Sequence, residues 1–144
     1  SSISSGKNRD LFNKKAEFKF LPCLNIPEFF IFNFFVFKNV YRCFSKNELI
    51  KYNFQKGDSE GFVNFGLSIK GIILSVILIE DINENFIKMS FRSKGDFDVN
   101  LFARKYFNGG GHKNAAGGIL EDKLSVALEK FLKDISKYSK DLNY

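Results

Sequence analysis

Histidine and cysteine are nearly missing from this chain, and so is any long apolar run. Each shortage removes a class of protein. The two cysteines, Cys23 and Cys43, are too few and too far apart for a disulfide framework or a cysteine-based zinc site. Both are expected to be reduced, buried thiols. The longest apolar stretches, residues 29–37 and 71–79, are about half the roughly 20 residues a membrane-spanning helix needs. They read as buried strands, and no membrane partner is expected. One histidine, with no second one and no cluster of carboxylates at ligand spacing, does not hold a metal, whereas a two-metal phosphoesterase needs several such ligands. Asp58 and Glu60 come nearest to a pair but lie in a turn far from the histidine in sequence. No catalytic residue and no metal ligand is therefore expected among these 144 residues.

Apolar material is plentiful. Hydrophobic residues make up 44% of the chain, with 19 phenylalanines, and 144 residues suffice for one domain with a single core. The first ten residues, SSISSGKNRD, have no apolar stretch behind their charges, so they do not form a secretory signal. A cytoplasmic location is the expectation. The opening serine fits either a processed start or a chain lacking its upstream part. Of the net charge of +6, the useful portion lies between Lys88 and Lys113, where six basic residues (Lys88, Arg92, Lys94, Arg104, Lys105, Lys113) face only Asp96 and Asp98. Residues 121–141 are balanced, with five lysines and five acids. A local excess of this kind suits an anionic partner such as a phosphate, although a solvated basic face would look the same.

Residues 1–28 are mixed and interrupted by proline, and read as a linker or the remnant of an interdomain region; the domain proper runs from 29 to 144. Phe29 to Val40 is rich in Phe, Val and Ile and predicts a strand buried on both faces. Ser45 followed by Glu48 is a capping box that opens a helix. FQKGDSEGF has the composition of a turn. GIILSVILIED and NFIKMSFRS, joined by DINEN, predict an antiparallel pair whose second strand ends in Arg92-Ser93-Lys94. Asp98 is a natural N-cap for a helix whose stripe is Val99, Phe102, Ala103, Tyr106 and Phe107, stopped by Asn108 and Gly109. GGILE is a short strand, and Leu124, Ala127, Leu128, Phe131, Leu132 and Ile135 mark a last amphipathic helix. The order predicts an α/β fold with a mixed β-sheet of about five strands and packed helices.

The lone histidine sits in FNGGGHKNAAGG, residues 107–118. A helix stop accounts for Gly109 but not for Gly110 and Gly111. A glycine run costs backbone entropy and is expected where side chains would obstruct an approach. Consecutive glycines let several amides turn toward one anion, with His112 at the edge of the pocket and Lys113 beside it. The P-loop and dinucleotide-binding spacings are both absent, since here the glycines follow a helix. Neutral histidine can donate one hydrogen bond to a phosphoryl oxygen, and its protonated form also offsets charge. Arg92 could add a charge-assisted contact worth about 1.5–3 kcal/mol.

The stretches KGDSEGFVNFGLSIKGI (56–72) and SFRSKGDFDVNLFARKYFNGGGHKNAAGG (90–118) resemble the C-terminal DHHA-type domain of DHH phosphoesterases, and within them the nanoRNase/pAp phosphatase (bifunctional oligoribonuclease) enzymes. The similarity covers roughly residues 45–140 and rests on GGGH coupled to an upstream FRSKG. The resemblance implies a substrate-binding lobe that closes over a separate DHH catalytic domain holding two manganese ions. It implies that Gly109, Gly110, Gly111 and His112 contact phosphate, that Arg92, Ser93 and Lys94 hold the nucleotide, and that Asn114 is a further contact. The Asp-His-His motif is absent from this chain, so no hydrolysis is expected from it alone. Short RNA, pAp and cyclic dinucleotides are the implied ligands. The alternative is a stand-alone nucleic-acid-binding module without catalysis.

Overall fold

Strands alternate their side chains between two faces, and here that alternation sorts the apolar residues into two separate cores around one sheet. The computed structural model describes residues 34–36 and 38–142. The expected linker, 1–28, and the first part of the expected 29–40 strand lie outside the described residues. The strands are β1 (Phe34–Val36), β2 (Asn39–Phe44), β3 (Leu74–Glu80), β4 (Ile87–Ser93), β5 (Gly110–His112) and β6 (Ala115–Leu120). They form one sheet in the order β1-β2-β3-β4-β6-β5. Only β2 and β3 run parallel; all other neighbours are antiparallel. The fold is thus α/β with a mixed sheet, as expected. Its sixth strand comes from the glycine run, which pairs instead of merely turning.

Five helices are described: α1 (Lys46–Lys51), α2 (Asp58–Ser68), α3 (Val99–Tyr106), α4 (Leu124–Ser136) and α5 (Ser139–Leu142). The capping box at Ser45 and Glu48 forms on α1, and Asp98 caps α3 by accepting from the Leu101 amide at 3.0 Å. Two expectations are corrected. Lys38, at φ 58, breaks the apolar run into a β1–β2 hairpin. The FQKGDSEGF segment is a turn only up to Gly57, after which α2 begins; Asp58 is buried and accepts from the Gln55 amide at 2.8 Å.

Helices α3, α4 and α5 cover one face of the sheet. Phe91 at its centre meets Phe102, Phe107 and Phe131 at centroid distances of 5.6, 5.7 and 6.5 Å. Helices α1 and α2 cover the other face, packing Leu49, Phe62, Val63 and Phe65 on Val40, Phe44 and Ile77. This second core lies over β2 and β3. Cys43, on β2, carries a thiol that burial pushes up to about 11. Arg42, almost wholly buried, stacks over Phe44 and pairs with Glu48 at 3.0 Å.

Candidate functional site: the open half of the sheet

On the second face α2 packs over β3 and reaches β4, while among the described residues no helical core covers β6 and β5; the sheet register says which residues share that face. Arg92 pairs with Ala115, and Ala115 with His112. One row of the sheet therefore reads Arg92-Ala115-His112, with a methyl group as the only side chain between the two polar ones. The next row is Ser90-Gly117-Gly110, and the one after it Lys88-Ile119. Strands lie about 4.8 Å apart, so the Arg92 and His112 backbones stand about 10 Å apart across the row. Alanine and glycine make the floor flat between them.

His112 and Lys94 are exposed and Arg92 is half-buried. The Arg92 guanidinium lies on the floor, donating through Nη1 to the carbonyls of Phe91 (2.9 Å) and Ala116 (3.5 Å). No acid pairs with it among the described residues. Lys113 is paired with Asp96 at 3.2 Å. The expected cationic residues thus gather at one end of the open half, with Arg92, Lys94 and His112 uncompensated among the described residues.

Ser93 and Asn114 take a different place. The next step along β4 turns Ser93 to the helix-backed face, where it is 5% exposed and donates from Oγ to the Phe97 carbonyl at 2.7 Å. Asn114 donates through Nδ2 to Ser93 Oγ (2.9 Å) and to the Gly95 carbonyl (3.2 Å), while the Ser93 amide donates back to the Asn114 carbonyl at 3.1 Å. These bonds tie the end of β4 to the β5–β6 hairpin. In this arrangement the two residues hold Arg92 and His112 in register.

The glycine run answers to its neighbour strand. A Cβ on Gly109 would meet the Gly117 carbonyl oxygen at 1.9 Å, and one on Gly111 the Ala115 carbonyl oxygen at 2.6 Å. The obstructed approach is therefore that of β6. The expectation of amides converging on one anion is corrected at two positions. The Gly109 amide closes α3 by donating to the Ala103 carbonyl (3.2 Å), and the Gly111 amide donates to Asn100 Oδ1 (2.9 Å). Asn100, which also accepts from Arg104 Nε at 2.9 Å, went unremarked in the sequence. It pins β5 to α3 from 11 residues away, and no local pattern announces such a contact.

A mixed six-stranded sheet, backed by helices on one face and by α2 over β3 and β4 on the other, makes this an α/β domain with a polar, small-residue surface over β6 and β5 among the described residues. The DHHA1 domain family matches residues 37–141, and the chain belongs to that family. An exopolyphosphatase-related protein from Bacteroides fragilis is similar at 42% identity with a TM-score of 0.69, over 74% of this chain and 31% of that one. An uncharacterized Helicobacter pylori protein matches at 17% identity (TM-score 0.44, 95% of this chain, 32% of that one). A pGpG-specific phosphodiesterase from Vibrio cholerae matches at 14% (TM-score 0.49, 77% and 36%). The chain spans about a third of the length of these solved structures. A search of curated proteins finds no match. Among the described residues no helix is long and apolar enough to cross a membrane.

Proposed function

We propose that this domain holds the phosphate and adjoining nucleotide of a short oligoribonucleotide, of pAp or of a cyclic dinucleotide on the open half of its sheet. The hydrolysis belongs to a manganese-dependent DHH catalytic domain outside this chain. The observation that carries the reading is the row Arg92-Ala115-His112: a guanidinium and an imidazole on one face, free of acidic partners among the described residues, across a floor of Ala and Gly. Arg92 supplies charge-assisted donors, His112 a further donor, and Lys94 a cation at the rim. Ligand meets the glycine run through its bare surface and not through the Gly109 and Gly111 amides. The described residues contain no group of three or more His, Cys, Asp or Glu side chains placed to hold a metal. Manganese therefore does not fit among them, and the domain's share of the chemistry is to bind and orient.

Titration of the domain with pAp and with a short oligoribonucleotide tests this. Arg92→Ala is expected to weaken binding by about tenfold or more, the equivalent of losing one charged hydrogen-bonding partner. His112→Ala should weaken it as well. Equal binding by both variants and the parent would overturn the assignment. The stand-alone module predicts instead that affinity rises steadily with strand length and falls with salt by about 0.7 log units per phosphate contacted.

A further inference from the structure

The first face of the sheet carries a group of ionisable side chains that the ligand reading leaves unused. Tyr106 ends α3, half-buried, and its charged neighbours come from α3 itself, from α4 and from the turn after α4. Three ammonium groups surround its ring: Lys137 lies 5.1 Å from the centroid, and Lys105 and Lys130 lie 5.3 Å from it. Two of them are held in place. The buried Asp134 carboxylate, 4% exposed, accepts from Lys130 Nζ at 2.5 Å and from Lys137 Nζ at 3.3 Å. The Tyr138 hydroxyl donates to the Tyr106 oxygen at 3.4 Å. Tyr138 is itself fixed, its ring edge-on to Phe97 and Phe102.

These neighbours drive the two phenols apart. The hydrogen bond from Tyr138, opposed by partial desolvation and joined by the Lys105 and Lys137 charges, holds Tyr106 below the ordinary phenol range. Tyr138 is pushed up to about 12, first by burial and then by its bond to Tyr106, with Asp141 and Asp134 adding to it. Tyr138 thus keeps its proton and donates it, whereas Tyr106 takes the negative charge. A phenol is a weak nucleophile at its free pKa and is activated by neighbours that stabilise its anion. Tyr52, also half-buried, has Lys51 over its ring at 5.4 Å and serves as an internal reference.

We propose that Tyr106 is a modification site, a phenol that accepts a phosphoryl group, with Lys105 and Lys137 holding the added anion. The donor is a phosphoryl compound with an anionic leaving group. The Tyr106 oxygen gives up its proton to solvent and forms the O–P bond as the bond from phosphorus to the leaving group breaks. The ammonium groups that favour the phenolate also offset the charge on the phosphoryl oxygens of the product. The site lies on the opposite face from Arg92 and His112 and does not depend on the ligand proposed there.

A dialkyl fluorophosphate is the probe, because O–P bond formation expels fluoride and leaves an adduct that tandem mass spectrometry locates. At about pH 8, Tyr106 of the whole chain is expected to be labelled about fivefold or more faster than Tyr52. Lys105→Met and Tyr138→Phe should each slow Tyr106 by about threefold or more and leave Tyr52 unchanged. Lys105 is exposed, and Tyr138→Phe keeps the ring that packs on Phe97 and Phe102, so both variants retain the core. The rate of Tyr106 labelling should also level off at a lower pH than that of N-acetyltyrosine amide. Labelling of Tyr52 as fast as Tyr106, adducts on the three lysines in place of Tyr106, or rates indifferent to both substitutions would overturn the proposal.

Discussion

Phe91 and Arg92 are neighbours in β4 and belong to two different economies. Phe91 points into the first face, is fully buried and touches three other phenyl rings; Arg92 points to the second face, half-buried at the edge of the area that α2 covers, and rests beside a floor of small residues. The same contrast holds across the second face itself. Over β2 and β3 it carries Val40, Phe44 and Ile77 beneath α1 and α2, whereas from β4, which α2 still reaches, to β6 and β5 it carries the polar Arg92, Ser90, Lys88 and His112 over small residues. Covered surface is where this sequence gains stability. The part left polar is where side chains can serve a ligand at small cost to the fold, since His112 is exposed and Arg92 only half-buried.

Substitution separates the two roles most sharply at Phe91. Phe91→Ala is expected to lower the unfolding free energy by about 3–5 kcal/mol, read by chemical denaturation, because it opens a cavity among Phe102, Phe107 and Phe131. Arg92→Ala should shift the denaturation midpoint little while it removes ligand binding. An Arg92 variant as unstable as the Phe91 variant would erase the distinction between the faces.

The smallest effect tests the polar brace inside the covered half. Burial raises the Glu48 carboxyl, but hydrogen bonds from the Ser45 amide and the Arg42 guanidinium outweigh it and leave the group below its ordinary range. A carboxyl depressed in the folded state adds stability above its unfolded value, near 4.3, and loses that contribution as pH falls through the folded value. Glu48→Gln should therefore flatten the acid limb of the stability profile below about pH 4.5, by less than about 1 kcal/mol because the carboxylate is partly solvated. The ligand affinity of the open half should not follow Glu48. An unchanged acid limb in the variant would show that the pair with Arg42 contributes nothing.

What could be read along the chain was local. The Asp98 cap, the α3 stripe, the α4 stripe and the β3–β4 hairpin each depend on residues a few positions apart, and each was legible. Helix α2 was not, because Gly57, Asp58 and Gly61 have the composition of a turn. At Gly66 the cause is tertiary: a Cβ there would meet Ser75 Oγ at 2.1 Å, so the glycine lets α2 settle on β3. The candidate residues Arg92 and His112 could be singled out as a rare imidazole and a strand-end arginine. That they share a row could not, since it depends on the register of three strands. The Asn100 bond to Gly111 and the bracing by Ser93 and Asn114 were hidden for the same reason: partners 11 and 21 residues apart leave no periodic trace.

The central claim is that ligand occupies the open half, and backbone amide shifts on titration with pAp test it directly. Shifts concentrated at Ser90, Arg92, Ala115, Gly117 and His112, with the α3–α4 layer silent, are the predicted result. Shifts confined to α3 and α4, with those five amides unmoved, would contradict it.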